Sequence, residues 1–326
     1  SEPNNFKFLE NSDDFKLIPC ADDDIANKIY AVCGYHLGKI TKNQAEGICH
    51  CDMIDIDRIH GIKPDDIQVV MPVSTDRYSW GASVVNARLQ DLFNPKTLGV
   101  REFKIQNFNK EKVFRVGDRV IHTNSNMYTM QWYSSFSDKA FTKAWGSGIM
   151  NGDVGKIVDI IEAKKRLRFL DPVDPMPEGY EEPKHTIRKD KSWRGEDHYF
   201  VVVEYYDYGS GKNYYILYQA AVDGYAKGDG LYLVGEDLSF LDLSYALTTH
   251  KMQGSQGKLI VYGLGKVRRQ GFVTRNAVYT GETRASCGEY MIGSVEDVMT
   301  SQLNMARQIV EQEGVNTILG DIWNLQ

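Results

Sequence analysis

Two short segments concentrate the side chains that could work on phosphates or a nucleic-acid strand. The first is Tyr245-Ala246-Leu247-Thr248-Thr249-His250-Lys251-Met252-Gln253-Gly254-Ser255-Gln256-Gly257, which gathers hydroxyls, a cation, amides and two glycines. Apolar spacing reads Leu243 to Met252 as helical, so this segment is expected at a helix end. There, backbone N–H groups and side-chain donors can converge on a phosphate. The second is Asn276-Ala277-Val278-Tyr279-Thr280-Gly281-Glu282-Thr283-Arg284-Ala285, in a helix candidate spanning Thr274 to Ala285. It sets Arg284 and Thr283 beside an apolar face. A half-buried guanidinium there needs an anionic partner, and a nucleotide γ-phosphate is one that fits. Taken alone, either segment reads equally well as a structural helix terminus with satisfied polar groups.

Other chemistry finds weaker support. A phosphate loop needs Gly-x-x-x-x-Gly-Lys-[Ser/Thr]. Gly34-Tyr35-His36-Leu37-Gly38-Lys39-Ile40-Thr41 has one residue too few between its glycines, and Ile40 replaces the hydroxyl. Gly209-Ser210-Gly211-Lys212-Asn213 ends in Asn, and Tyr206 stands where its first glycine should be. No Asp-Glu pair follows an apolar strand to hold Mg²⁺. Cys49-His50-Cys51, near Cys33 and His60, is Cys-x-Cys rather than a zinc knuckle, and ordinary buried thiols are the better reading; no metal site is expected. Lys164-Lys165-Arg166-Leu167-Arg168 reads as a solvated loop. Trp132, Tyr133, Trp145 and Trp193 read as barrel core, with stacking on bases as the alternative.

The bulk numbers bound these readings. The net charge of −6 supplies no global basic field, so contact with nucleic acid has to come from local patches. No apolar run reaches the roughly 18 residues of a membrane span, so no membrane association is expected. The five cysteines are few and unevenly spaced, as free thiols of a cytoplasmic protein would be. A length of 326 residues suggests two domains, or one with a large insertion.

The elements that must position the chemistry follow from periodicity. Ile25, Ile29, Val32 and Leu37 give helical spacing within Asp22 to Gly38. Ile67 to Met71, stopped by Pro72, reads as a buried parallel strand, and Ser79 to Phe93 as the helix after it, with Val84, Val85, Leu89 and Leu92 on one side. From about Val113 the pattern turns to short strands with glycine corners: Phe114 to Ile121, Gly152 to Ile161, and a hairpin pairing Tyr199 to Tyr206 with Tyr214 to Leu217. Asp171 to Arg194, broken by Pro172, Pro175, Pro177 and Pro183, reads as an exposed loop. Leu259 to Tyr262 is a strand, and Val295 to Glu313 a closing helix stopped by Gly314. An α/β pattern thus brackets a β insertion.

In this order the segments resemble the motifs of RecD-like superfamily 1B DNA helicases, the exodeoxyribonuclease V alpha-subunit family. Tyr245 to Gly257 looks like motif V. Asn276 to Ala285 looks like motif VI, whose usual form is close to Tyr-Thr-x-x-Thr-Arg-Ala. Gln68 to Pro95 resembles the motif IV strand and its helix, down to Asn86, Leu89 and Asn94-Pro95. Phe114-Arg115-Val116-Gly117-Asp118-Arg119-Val120 with Asn151-Gly152-Asp153-Val154-Gly155 resembles the entry to that group's SH3-like insertion. The likeness runs from about Ile67 to Leu325, with a gap over roughly Lys164 to Asp237.

The resemblance implies an α/β fold: a RecA-like parallel-sheet domain interrupted by a small SH3-like β-barrel. Residues 1–112 would be the first part of RecA-like domain 2A with a connecting segment, 113–240 the barrel insertion 2B, and 241–326 the rest of 2A. It implies the C-terminal motor half of an ATP-dependent helicase, moving 5′ to 3′ on single-stranded DNA. ATP and Mg²⁺ would be held mainly by an N-terminal RecA-like domain of the same protein, without which this chain would be inactive. Nuclease or replication proteins would be further partners. Arg284 becomes the catalytic arginine finger, and Arg284, Gly254, Gln256 and Arg77 the residues facing ATP. Thr248, His250, Lys251, Gln253, Asn124 and Asn126 become the DNA contacts, with Gly254 sharing in coupling. Two departures stand out: Gln256 replaces the motif V acid, and Pro72-Val73-Ser74-Thr75 displaces the motif IV arginine, leaving Arg77 for its role. The rival reading is a catalytically inert, helicase-derived DNA-binding module of a nuclease or phage complex; a third is a structural scaffold whose insertion recruits proteins.

Overall fold

The computed structural model describes residues 11–55, 62–107, 110–123, 131–135, 140–142, 149–162, 168–170, 198–207, 211–222, 233–234, 237–249, 251, 257–266 and 284–294. The expected loop at 171–194, nearly all of the helix candidate at 274–285 and the closing helix at 295–313 lie outside them. So do Asn124, Asn126, His250, Gln253, Gly254 and Gln256.

Elements in chain order begin with strand β1 (Phe15–Pro19), helix α1 (Ile25–His36) and helix α2 (Lys42–Cys49). Helix α1 buries Ile25, Ile29 and Val32 of the expected stripe, while Leu37 falls at its C-cap, half-buried. Helix α2 opens on a capping box: the Gln44 N–H donates to Thr41 Oγ1 (3.4 Å), and the Thr41 N–H to Gln44 Oε1 (3.0 Å). Strand β2 (Ile67–Met71) and helix α3 (Ala82–Phe93) follow, the helix starting three residues later than periodicity suggested.

Next come β3 (Glu102–Asn107), β4 (Lys110–Arg115), β5 (Arg119–His122), β6 (Gln131–Ser135), β7 (Ala140–Thr142), β8 (Val154–Glu162), β9 (Arg168–Leu170), β10 (His198–Asp207), β11 (Lys212–Val222), β12 (Leu233–Val234) and β13 (Leu241–Leu243). The last three strands are β14 (Ala246–Thr248), β15 (Gly257–Leu264) and β16 (Ala285–Gly293).

The chain divides into two compact units. One takes residues up to Phe93 and from Tyr245 onward. Its sheet, in order β1-β16-β15-β2-β14, is parallel at every pairing. Central β15 and β2 are almost wholly buried, which explains their continuous apolar runs. Helix α1 packs on β15 and β16, and α3 on β14. The arrangement is consistent with a RecA-like domain.

The second unit, Asn94–Ser244, is a mainly antiparallel β structure in the order β13-β5-β8-β10-β11-β6-β7-β9, with β12 beside β11 and β3–β4 as a separate hairpin. Phe114, Val120, Ile157, Ile160, Val201, Val203, Ile216 and Leu241 form its core. The hairpin expected across residues 208–213 is present: Tyr205 lies opposite Tyr214, and Asp207 opposite Lys212.

Two expectations fail. Leu243 to Met252 is not a helix: β13 ends at Leu243, and Ala246–Thr248 is an edge strand paired with β2. Arg284 stands in a turn, and Ala285 already opens β16, so the arginine is not in a helix. β14 carries too few residues for a two-residue alternation to outweigh a spacing that also suits a helix, and β16 opens with small and polar residues that show no alternation.

Candidate phosphate and strand-binding edges

At the carboxyl ends of the parallel strands, ligands commonly settle on α/β sheets. Here the loop from β2 to α3 is tied down by backbone. The Ala82 N–H donates to the Val73 carbonyl (2.9 Å) and the Ser83 N–H to the Ser74 carbonyl (3.2 Å), while Ser83 Oγ also bonds Ser74. The first N–H groups of α3 are thereby occupied, so this helix start is closed to a phosphate. Gly81 is required: a Cβ there would lie 1.7 Å from the Thr75 carbonyl oxygen. Trp80 is buried, stacks on Tyr78 at 5.0 Å and fills the space beside Gly265, where a Cβ would come within 2.2 Å of the indole. Arg77 is exposed on this braced loop, its N–H donating to Thr75 Oγ1 (3.2 Å).

The segment that resembles motif V begins on the same edge. Thr249 extends the ladder by donating its N–H to the Met71 carbonyl (3.2 Å), and its buried hydroxyl meets the Tyr262 hydroxyl at 3.1 Å. The Lys251 N–H donates to the Thr248 carbonyl (2.9 Å), closing a turn that leaves both side chains half-buried. On the outer side of β14, Asn86 takes both backbone groups of Ala246: Nδ2 donates to its carbonyl (2.8 Å), and Oδ1 accepts from its N–H (2.7 Å).

The amino edge holds the other candidate. Gly257, the last residue of motif V, lies opposite Ala285, and its N–H donates to the Arg284 carbonyl (3.1 Å). The ends of the two segments that resemble motifs V and VI therefore meet, with Arg284 half-buried. Nearby, Lys258 pairs with Asp66 (3.1 Å). The Lys63 N–H and the Lys258 ammonium both favour the charged carboxylate and outweigh desolvation, so the Asp66 carboxyl titrates below its ordinary range. Arg284 and Arg77, both expected to face ATP, stand at opposite edges of the sheet. Thr248 and Lys251 share an edge with Arg77. The two edges are separated by the eight residues of β15, roughly 20 Å of strand.

The glycine segments that approach a phosphate loop are occupied otherwise. Gly34 and His36 belong to α1, and the Lys39 and Ile40 N–H groups donate to the Gly34 carbonyl (2.8 and 3.1 Å). This is the C-terminal end of a helix, where the dipole repels anions. Gly211 sits at the β10–β11 turn at φ +69°, with a strand rather than a helix after it. Burial raises the Cys20 and Cys49 thiols to about 11 and about 12, disfavouring the thiolate that binds metal. Among the described residues, no three His, Cys, Asp or Glu groups converge as a metal site, and no helix is long and apolar enough to cross a membrane.

In the β unit, the Phe114–Val120 segment acquires a physical reason. Gly117 turns at φ +98°, a conformation that costs glycine little. This lets the buried Asp118 carboxylate accept from the Arg115 N–H (2.6 Å) and from Asn94 Nδ2 (2.8 Å). Arg115 in turn donates to Glu102 (2.8 Å) and to the Asn94 carbonyl (3.1 Å). Arg119 Nε donates to the Ser244 carbonyl (3.0 Å). The same residues thus hold the first and last residues of the unit. In the second signature, Gly152 turns at φ +108°, and Gly155 passes the Glu204 carbonyl where a Cβ would lie 2.7 Å away.

No curated protein sequence matches the chain. Among solved structures it is similar to the Pif1 helicase of Candida albicans, with a TM-score of 0.38 and 14% identity over 86% of this chain and 58% of that one. It is also similar to a Bacteroides Pif1 bound to ssDNA (TM-score 0.34, 12% identity, 81% and 48% covered) and to Pif1 from Bacteroides in complex with ADP-AlF3 and ssDNA (0.32, 14%, 88% and 54%). The chain spans between 48% and 58% of the length of these three. Residues 85–169, which contain the Asn94–Arg115–Asp118 network and both glycine turns, match the SH3 domain of ATP-dependent RecD-like DNA helicases.

Proposed function

We propose that this chain is the C-terminal motor half of an ATP-dependent DNA helicase of the RecD-like kind. It would supply contacts to single-stranded DNA and an arginine finger. The observation that carries the reading is the junction of Gly257 and Arg284: residues that resemble the ends of motifs V and VI are hydrogen-bonded neighbours on one parallel sheet. The match of residues 85–169 supplies the family context.

On this reading Arg284 faces the γ-phosphate of ATP. A planar, permanently charged guanidinium stabilises the negative charge that develops during phosphoryl transfer. Its place at a turn beside Gly257, where β16 begins, fits that role. Nucleotide and Mg²⁺ would be held mainly by an N-terminal RecA-like domain, since neither glycine segment of this chain offers a phosphate cradle. Thr248 and Lys251, with His250 and Gln253, would hold the DNA strand; Gly254 and Gln256 lie between them and Arg284 in sequence. Translocation would run 5′ to 3′.

The test is Arg284→Ala in the enzyme carrying both RecA-like domains. DNA-stimulated ATP turnover should fall by roughly 10³-fold or more, while affinity for a (dT)₁₆ oligonucleotide stays within about twofold. Near-normal turnover removes Arg284 from this role.

A further inference from the structure

Strand β14 is an edge strand of three residues, and an edge strand that short has little of its own to fix it. On its inner side it pairs with β2, Ala246 lying opposite Val69 and Thr248 opposite Met71. On its outer side, among the described residues, no strand pairs with the backbone of Ala246. The side-chain amide of Asn86 meets it there, giving an N–H to the carbonyl at 2.8 Å and taking the N–H at 2.7 Å. An amide is the one side-chain group that reproduces both halves of a peptide's hydrogen bonding. Asn86 itself is buried in α3, at 7% exposure. Two residues further along, the Thr248 carbonyl is taken by the Lys251 N–H and the Thr249 N–H by Met71. The start of the turn carrying Thr248 and Lys251 is thus held from inside by β2 and from outside by one asparagine.

We propose that Asn86 is a positioning residue for the strand-binding turn. It acts as a missing neighbour strand for β14 and fixes the direction in which Thr248 and Lys251 leave the sheet. The inference rests on the proposed DNA-binding role of those two residues. It predicts that the binding defect of an Asn86 variant follows the amide chemistry of the side chain rather than its bulk.

The experiment compares the wild-type chain, Asn86→Leu and Asn86→Gln. Affinity for (dT)₁₆ is read by fluorescence anisotropy, the exchange of backbone amides 246–248 by hydrogen–deuterium exchange, and folding by urea midpoint. Leu keeps the branched shape, is somewhat larger and loses both bonds. Its affinity should fall by about tenfold or more, an effect matching the loss of a buried hydrogen-bonded pair. Exchange at Ala246 should accelerate while amides in β15 stay protected, and Gln should restore part of both. If wild type binds and Leu binds equally well, the positioning role is overturned. If Leu and Gln lose affinity alike, or all strands exchange faster together, Asn86 is a general structural residue and the proposal fails. If wild type does not bind (dT)₁₆, the strand-binding reading fails. In that case accelerated exchange confined to β14 in Leu still supports the anchoring of the strand by Asn86, and unchanged exchange refutes it.

Discussion

His36 offers the sharpest quantitative prediction. It closes α1, where the helix dipole would favour an imidazolium by at most about 1 kcal/mol at an ordinary site. Burial acts the other way and wins: with 5% of its surface exposed, the imidazole is pushed down from 6.5 to about 4. Its neighbours explain how the neutral ring is accommodated. The Tyr290 hydroxyl accepts from the Ile54 N–H (2.7 Å), leaving its own proton for His36 Nε2 at 2.9 Å. His36 Nδ1, which then carries the ring's one proton, is buried without a hydrogen-bond partner, and a second proton would have to go to Nε2 and break the bond from Tyr290. In the unfolded chain the imidazole takes up a proton as pH falls through 6.5, whereas in the folded chain it waits until about 4. Stability is therefore full above 6.5 and is lost as pH falls from there towards 4. By pH 5 the loss attributable to this one side chain is about 2 kcal/mol. The assay is the urea midpoint of wild type and His36→Gln, measured from pH 7.5 to 5. Glutamine can still meet the Tyr290 hydroxyl and does not titrate. The gap between the two curves should shift by about 2 kcal/mol in favour of the variant over that range. Parallel curves would refute the burial of a neutral imidazole as the cause.

Two further substitutions test the packing that frames the site. Asp118→Ala strands the Asn94 amide and the Arg115 N–H inside the β unit, and should lower that unit's stability by about 3 kcal/mol in denaturant titration; a loss below 1 kcal/mol would show that the carboxylate is dispensable. Gly265→Ala drives a methyl into the buried Trp80 ring, costing about 2 kcal/mol, and Trp80→Leu in the same chain should recover part of it. Strictly additive losses would mean that the two residues do not compete for the same space.

What the sequence displayed depended on how many residues each element had in which to display it. Helix α1 and strand β2 are long enough, and buried enough, for their periods to be unambiguous: Ile25, Ile29 and Val32 in one, Ile67 to Met71 in the other. The turn glycines of the β unit were visible because Gly117 and Gly152 need left-handed backbone, and each sits beside an aspartate that bonds locally. β14 was misread because three residues cannot show a period of two, and the side chain that bonds its outer edge, Asn86, is 160 residues away. β1 and β16 were missed for related reasons. Phe15-Lys16-Leu17-Ile18-Pro19 is short, and Ala285 to Glu289 opens β16 with small and polar residues before Tyr290, Met291 and Ile292 enter the core. Asn86 was noticed only as part of a motif. Its partner is a backbone peptide, which leaves no complementary side chain in the sequence to find.

The separation of the two edges constrains how such a domain could act as half of a motor. On the proposed reading the nucleotide is sensed at Arg284 and the strand is held at Thr248 and Lys251, roughly 20 Å away along β15. β15 is bonded or packed at both ends. Its first N–H is held by the Arg284 carbonyl, Gly265 just past its end abuts Trp80 of the Arg77 loop, and the following Lys266 N–H donates to both oxygens of Asp22 (3.1 and 3.2 Å). Tyr262, near its carboxyl end, meets the hydroxyl of Thr249, the residue after Thr248. A buried strand pinned in this way cannot stretch; it can only shift as a body, because close-packed interiors pass displacement on instead of absorbing it. Movement of Arg284 with the state of the nucleotide would therefore reach the DNA turn through β15 and Thr249, while Asn86 holds the outer side of β14 against α3. The two contacts on β14 then have different work. The Thr249–Tyr262 bond would carry the movement, and the Asn86–Ala246 pair would give it something to move against.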